Sequence, residues 1–212
     1  MNQVQLRAAT PEDASAIAGI CLLAGGGVFE YLYGCAQSDT NAESILTKLS
    51  ALASTPYAYR RFTMAEMDGA VVGGVNVISV PDLINAEEAI LPAMFQTLGL
   101  SRMTVFRTAF RRIRIGLRMR GQRPDAATLV LANVAVFGEY AGKGIGEQLV
   151  QHVLDRAAKE NYPSVSLVVW DSNSRARTLY QRMGFELVDT APFKPLRNLR
   201  YRARCLMVHQ FS

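Results

Sequence analysis

The sequence predicts an α/β (α+β) fold in a single domain, residues 1–212. The chain has 212 residues, and half of them are hydrophobic, which is enough to fill one large core. Short apolar runs typical of strands alternate with amphipathic segments typical of helices. Strand 128–137 shows this best, because a glycine-rich turn and an amphipathic segment follow it directly.

The predicted elements follow one another without an internal repeat or a low-complexity linker. In chain order they are strand 4–8, helix 14–24, helix 41–53, strands 61–66 and 70–80, helix 84–98 interrupted near Pro92, helix 101–120, strand 128–137, a helix ending near residue 159, strand 165–170, helix 175–183, and strands 185–188 and 205–209.

The first helix has clear start and stop signals. Thr10 is a good N-cap residue, Pro11 suits the first helical position, and two acids follow in the first turn. The triple glycine 25–27 ends the helix. The aromatic-rich segment 28–33 comes next, and it either lines a substrate cleft or only packs. The second helix places Ile45, Leu46, Leu49 and Leu52 on one face.

The two strands that follow form a predicted hairpin. Asp68-Gly69 lies between them, and this dipeptide favours a tight two-residue turn. Gly73-Gly74 inside the second strand indicates a bulge or a close approach of another backbone.

A basic helical insertion is predicted at about 82–124. In its second half, two sets of residues recur at helical spacing: an apolar stripe and an arginine stripe. The apolar stripe is Met103, Phe106, Phe110, Ile113 and Leu117, and the arginine stripe is Arg107, Arg111, Arg114 and Arg118. The simplest interpretation is a surface helix that docks its apolar stripe and leaves its arginines in solvent. The alternatives are an anion-binding wall, a membrane-surface helix or a nucleic-acid patch.

The glycine-rich turn 141–146 favours binding of phosphate. Glycines allow positive φ and close approach, and the first N–H groups of the next helix have no intrahelical partner. Two familiar motifs fail here. A Walker A loop needs glycine where Phe137 stands and Ser or Thr where Gly144 stands. The dinucleotide motif G-x-G-x-x-G would end on Glu147.

A second segment carries a family resemblance. Residues 173–185 match the pattern N-x-x-A-x-x-L-Y-x-x-x-G-F, with Asn173, Ala176, Tyr180 and Gly184 in register. This segment resembles the GNAT superfamily of N-acetyltransferases, and the glycine turn resembles that superfamily's pyrophosphate loop. The resemblance covers about 129–185. It implies a mixed, largely antiparallel central sheet flanked by helices, with the insertion between strands 3 and 4.

The resemblance also implies a coenzyme A site. The strand backbone would pair with the pantetheine arm, the glycine loop would hold the pyrophosphate, and Asn173 would hydrogen-bond the pantetheine side or cap its own helix. The implied cofactor-binding residues are Val134, Ala135, Val136, Ala141, Gly142, Lys143, Gly144, Ile145, Gly146, Asn173 and Tyr180. Ala141 departs from the family, which usually has Arg or Gln there. Another basic residue, for example from the arginine-rich insertion, could replace that contact.

The catalytic residues are expected to be an acid and a base. Tyr180 matches the family tyrosine that protonates the departing thiolate, and a phenol stays protonated at neutral pH. An amine is neutral in only about one molecule in two thousand at pH 7, so its deprotonation matters. Glu139 is the preferred candidate for the base, and Glu30 or an ordered water are alternatives.

The remaining composition argues against several classes of site. Cys21, Cys35 and Cys205 lie far apart, and the two histidines, His152 and His209, are expected to be structural or solvated, so no metal site is predicted. The N-terminus does not read as a signal peptide, no membrane span is expected, and a cytoplasmic location is the default. The formal net charge of +5 suits an anionic ligand.

The resemblance, together with these observations, implies an enzyme that moves an acetyl group from acetyl-CoA to a primary amine by direct attack in a ternary complex. The acceptor is a small-molecule or peptide amine, no nucleic acid is expected, and a homodimer is possible. The alternative is a non-catalytic acyl-CoA-binding sensor or interaction module.

Overall fold

A seven-stranded mixed sheet forms the centre of the molecule. The computed structural model describes residues 3–34, 41–118, 121–194, 199 and 201–211; Cys35 and Arg120 lie outside this part of the chain. The strands are β1 (Gln5–Ala8), β2 (Phe62–Met67), β3 (Ala70–Ser79), β4 (Leu129–Val136), β5 (Ser164–Trp170), β6 (Glu186–Pro192) and β7 (Ala203–Gln210). They lie in the order β1-β2-β3-β4-β5-β7-β6, and all neighbours are antiparallel except β4 and β5.

Helices cover both faces of this sheet, as predicted. Adjacent residues of β2 point to opposite faces: Met64 packs into an apolar cluster with the first three helices, and Ala65 packs into one with the helix Ile145–Lys159. The helices are α1 (Ala14–Gly25), α2 (Val28–Tyr33), α3 (Ala42–Ser50), α4 (Val80–Pro92), α5 (Arg102–Gly116), α6 (Ile145–Lys159) and α7 (Ser174–Arg182). The predicted fold class is therefore confirmed.

The local signals that began and ended elements are also confirmed. The Thr10 capping box precedes α1, with a short 3₁₀ turn between them, and Gly26 ends α1 with φ 54°. Asp68 and Gly69 both have positive φ, as a tight hairpin requires. A Cβ atom placed on Gly73 would lie 2.6 Å from the carbonyl oxygen of Ala135, so the neighbouring backbone comes as close as expected.

β4 and β5 pair over only three residues. Leu129, Val130 and Leu131 face β5, and the pairing then stops, although β4 continues to Val136. The register of β4 against β3 shifts at the same place, because Leu131 and Asn133 pair with consecutive residues of β3 and Ala132 is extra. A bulge bends its strand and increases the local twist. The two strands therefore separate beyond Leu131 and leave a cleft in the middle of the sheet.

The aromatic segment after the triple glycine forms α2 and packs inward. Phe29, Leu32 and Tyr33 are buried. The centre of the Tyr57 ring lies 5.4 Å from that of Phe29 and 6.4 Å from that of Tyr33. The Tyr33 hydroxyl lies 3.2 Å from that of Tyr57. Burial raises the pKa of Tyr33 to about 12, so this pair stays neutral. The packing interpretation of these three residues is the correct one.

The orientation expected for α5 is wrong. The docked face carries Thr108 and Ile115, whereas the five residues of the apolar stripe are 53–68% exposed. Arg111 points inward and donates from Nη1 to the carbonyl oxygen of Gly34 at 2.6 Å and to that of Leu32 at 3.4 Å. These oxygens lie at the C-terminal end of α2, where a cation is favoured.

A second arginine holds α5 against α4. Arg112 pairs with Glu87 at 2.5 Å and also donates to the main-chain oxygen of Glu87 at 3.2 Å. Because two neighbouring arginines have acceptors on the protein side, the helix turns its apolar stripe toward solvent.

Candidate functional site

A cleft of about 900 Å³ opens where β4 and β5 separate. One wall is the second half of β4, residues 132–136, and the other is the end of β5 together with α7. β3 occupies one edge of β4 here, but no described strand pairs with its other edge. Backbone N–H and C=O groups on that edge need partners. The cleft can therefore take an extended ligand that carries amide groups.

The glycine loop closes one end of this cleft. Gly142 and Gly144 have φ of 88° and 79°, a region that residues with a side chain rarely adopt, and Gly144 is the N-cap of α6. Among the described residues, none accepts a hydrogen bond from the first N–H groups of α6. These donors and the positive end of the helix dipole form an anion-binding site.

Ten of the predicted site residues line the cleft. They are Val134, Ala135, Val136, Ala141, Gly142, Gly144, Ile145, Gly146, Asn173 and Tyr180. Lys143 is not among the lining residues, and its Nζ lies 5.0 Å from the centre of the Tyr140 ring. Glu139 is exposed on the 3₁₀ turn Gly138–Tyr140 and is also outside the lining set.

Asn173 caps α7. Its Oδ1 accepts a hydrogen bond from the backbone N–H of Ala176 at 3.1 Å. Its side-chain amide nitrogen has no hydrogen-bond partner in the part of the chain that is described. The cap therefore uses only the oxygen and leaves the donor side of the amide for a ligand.

Tyr180 is 6% exposed and packs against Phe185, with 5.7 Å between ring centres. Burial raises the pKa of Tyr180 above its usual range, because the phenolate would lose hydration. The phenol is therefore protonated at any physiological pH. Its hydroxyl in the cleft wall can therefore donate a hydrogen bond, and then a proton, to an anion that forms beside it.

The cleft contains one carboxylate among its described lining residues, and it is Glu147 near the glycine loop. Glu147 pairs with Arg182 at 3.1 Å, with both side chains more than half exposed. Across the described residues, no group of three or more His, Cys, Asp and Glu side chains comes together.

An aromatic cluster, missed by sequence reasoning, stands at the far end of β5. Trp170 lines the cleft and stacks on Tyr201, with 4.3 Å between ring centres and 7° between planes; Phe193 packs edge-on at 5.2 Å. The Tyr201 hydroxyl fills the space that a side chain at Gly26 would need. Burial first, and then the charge of Glu30, raise the pKa of Tyr201.

The two histidines have structural partners, as expected. Nε2 of His152 lies 3.3 Å from the Thr63 hydroxyl, and Nδ1 of His209 donates to the carbonyl oxygen of Met183 at 3.1 Å. Cys21 and Cys205 are buried and free.

Several known proteins are similar to this chain. The N-acetyltransferase of Staphylococcus aureus Mu50 has a TM-score of 0.73 at 17% identity and covers 96% of this chain and 99% of its own. The PaiA N-acetyltransferase of Thermoplasma acidophilum, solved with coenzyme A, has a TM-score of 0.53 at 14% identity, with 99% of each chain covered. At these identities the likeness shows the fold alone.

A curated relative matches over a shorter stretch. The [ribosomal protein bS18]-alanine N-acetyltransferase of Escherichia coli (strain K12) is 38% identical over 61 residues, which is 29% of this chain and 40% of the relative. The match thus spans about two fifths of that relative's length. The model of the acetyltransferase (GNAT) family matches residues 32–185, well over half of the chain. The chain therefore belongs to the acetyltransferase (GNAT) family, as its glycine loop and the 173–185 motif indicated.

Proposed function

We propose that the protein is an acetyl-CoA-dependent N-acetyltransferase that acts on a primary amine by direct attack in a ternary complex. The observation that supports this best is the unpaired edge of β4, which lies between the glycine loop and Tyr180 in one cleft. The three features match three parts of one molecule: a pyrophosphate, an amide-bearing arm and a thioester.

The cofactor would bind along β4. The amides of the pantetheine arm pair with the free edge at residues 134–136, in the manner of an added strand. The Asn173 side-chain nitrogen donates to the same arm. The pyrophosphate meets the N–H groups at Gly142 to Gly146, and hydrogen bonds to such a charged acceptor contribute roughly 1.5–3 kcal/mol each.

The transfer would be a single displacement. The neutral amine nitrogen attacks the acetyl carbonyl carbon, the C–N bond forms, and the C–S bond breaks. The Tyr180 phenol gives its proton to the departing thiolate, and the nitrogen loses one proton to a base. Because burial keeps Tyr180 protonated, the acid is in its active form before the thiolate appears.

The amine would enter from the aromatic end. Leu23, Ala24 and Trp170 line the cleft there, and Tyr201 lies between Trp170 and the α1–α2 joint. A peptide amine is the acceptor that we would test first, since the curated relative is named for an alanine of a ribosomal protein.

The base remains a choice between two glutamates and ordered water. Glu139 stays the predicted base because it lies on the short turn that follows β4, although it does not line the cleft. Glu30 is the rival, because it is close enough to raise the pKa of Tyr201 at the aromatic end. The substitutions Glu139→Gln and Glu30→Gln separate them: loss of the base lowers kcat and removes the alkaline rise of the rate with pH.

One observation favours the second candidate function, a non-catalytic acyl-CoA-binding module. The described lining residues include only one carboxylate, and Glu147 is already paired. Such a module would bind CoA yet release no thiol with any amine.

The decisive experiment follows thiol release from acetyl-CoA with a panel of peptides, polyamines and small amines. Wild type should turn over at least one acceptor, and Tyr180→Phe should lower kcat by about 10²- to 10⁴-fold with CoA affinity nearly unchanged. CoA binding without turnover on the whole panel would select the module. An unchanged kcat in Tyr180→Phe would remove the acid role.

A further inference from the structure

The exposed side of α5 is an apolar surface that the proposed function does not use. We call the side chains of Met103, Phe106, Phe110, Ile113 and Leu117 the α5 face. They are 65%, 68%, 53%, 61% and 65% exposed. Phe95, 45% exposed, precedes the same helix. Large exposed apolar patches on soluble domains usually mark a contact surface.

The helix cannot simply rotate to bury this face. Arg111 holds the end of α2 and Arg112 holds Glu87, both on the opposite side of α5, and Thr108 is buried there. A rotation that buried Phe106 and Phe110 would break these contacts and expose Ile115. The outward position of the apolar stripe is therefore a property of the fold.

The charge around the face selects among possible partners. Residues 101–124 contain eight arginines and no aspartate or glutamate. Arg102 and Arg114 are exposed on this helix, and the Arg114 guanidinium lies 5.8 Å from the Phe110 ring centre. An isologous contact through this helix would set one arginine group against another, and the segment has no acid of its own to separate them. An anionic partner has no such conflict.

The shape of the face favours a lipid surface over a folded anionic partner. Its five side chains form one protruding row along a helix, at spacings of three and four residues, and bulky apolar side chains flanked by arginines are typical of interfacial helices. Among the described helices, none has both the length and the apolar content to cross a bilayer. We propose that the α5 face binds to an anionic lipid surface, with Phe106 and Phe110 inserted and with Arg102 and Arg114 at the phosphate level.

Sedimentation with vesicles tests this proposal. The full chain is mixed with vesicles of phosphatidylcholine alone or with one third phosphatidylserine, at low and at high salt. Binding should require the anionic lipid and should weaken with salt. Phe106→Glu with Phe110→Glu should weaken it at least about tenfold. Arg102→Gln and Arg114→Gln should each weaken it by about fivefold.

The matched control is Leu187→Glu with Val188→Glu, an apolar pair on β6 that is 45% and 51% exposed. It should bind vesicles like wild type, and circular dichroism should show both pairs folded. Failure of wild type to bind anionic vesicles overturns the proposal. Equal vesicle binding by the Phe106→Glu, Phe110→Glu variant and by the Leu187→Glu, Val188→Glu control also overturns it. A dimer of wild type that dissociates in the Phe106→Glu, Phe110→Glu variant would instead assign the face to a second copy.

A second inference concerns Arg175 and rests on the proposed function. The loop has alanine at position 141, where the resemblance implies a basic or amide side chain. A Cβ atom placed on Gly142 would have Nη2 of Arg175 as its nearest neighbour, at 3.7 Å. Arg175 is exposed, lines the cleft, and has no hydrogen-bond or ion-pair partner among the described residues. Arg182, in contrast, is already paired with Glu147.

We infer that Arg175 supplies the cation that Ala141 does not, and that it contacts the pyrophosphate of CoA from α7. The planar guanidinium group of an arginine suits a phosphate because it can donate two parallel hydrogen bonds to it. The family motif leaves this position unspecified, so only the distance to Gly142 identifies it.

Calorimetry with CoA tests the role of Arg175. Arg175→Ala should raise the Kd about tenfold, and Arg156→Ala, which removes the same charge from the ion pair with Glu160 on α6, should leave it unchanged. Adding Ala141→Arg to Arg175→Ala should restore most of the affinity. Equal affinities of wild type and Arg175→Ala would overturn this inference alone. If wild type itself bound no CoA, the proposed function would fail as well.

Discussion

Gly144 and Gly146 lie two residues apart in the loop, but we expect opposite results from replacing them with alanine. Gly144 has φ 79° and open space around a would-be Cβ, so Gly144→Ala strains only the backbone. Gly146 lies inside α6 and lacks a left-handed φ. Its added Cβ would make ordinary contacts, 3.6 Å from Leu179 and 3.9 Å from Val136.

The magnitudes follow from these conformations. The left-handed region costs a residue with a side chain roughly 1–2 kcal/mol, so Gly144→Ala should lower the Tm by about 2–8 °C in a chain of this size. Gly146→Ala removes a flexible residue from a helix and should contribute about 0.5–1 kcal/mol of stability. Relaxation of the strained loop should also move its N–H groups, so Gly144→Ala should weaken CoA binding.

The assay is thermal unfolding of wild type and both variants, without ligand and with saturating CoA. CoA should raise the Tm of Gly146→Ala as much as that of wild type, and that of Gly144→Ala by less. A Gly146→Ala variant as unstable as Gly144→Ala would refute the reasoning. It would mean that the space around the added side chain, rather than the backbone conformation, decides which residues these positions tolerate.

Three further predictions concern the rest of the fold. Arg7 lowers the pKa of Asp13 through hydrogen bonds of 2.7 and 2.9 Å. The ionised Asp13 carboxylate therefore stabilises the fold above its unfolded pKa, and this stability is lost as pH falls below about 4. In Arg7→Gln the free energy of unfolding should therefore fall less steeply with acid than in wild type. Arg111→Ala removes the donor to the carbonyl oxygen of Gly34 and one of two donors to that of Leu32, and it should cost about 1–3 kcal/mol in denaturant unfolding, whereas Arg102→Ala, at an exposed site, should cost little. Burial raises the pKa of Cys21, so this thiol should resist alkylation in the folded protein and react after unfolding; rapid native labelling would contradict that burial.

Sequence reasoning succeeded where the signal was local. Caps, the Asp68-Gly69 hairpin and the glycine loop depend on residues close in the chain, and each is found as expected. The buried face of α6 also follows from periodicity, with Leu149 and Val153 fully buried.

The failures depend on partners that are distant in the sequence. Periodicity identified an apolar stripe on α5 but not the direction in which it faces. The direction depends on carbonyl oxygens at Leu32 and Gly34, 79 and 77 residues from Arg111. Trp170 and Tyr201 stack across the chain without any motif that joins them.

The central claim is that acetyl-CoA occupies the cleft between β4 and β5, and a crystal structure with CoA and an amine acceptor tests it most directly. We expect the pantetheine amides to pair with residues 134–136, the pyrophosphate to lie on the N–H groups of the 142–146 loop, and the sulfur to lie within hydrogen-bond reach of the Tyr180 hydroxyl. CoA bound away from the free edge of β4, or a sulfur remote from Tyr180, would contradict the claim.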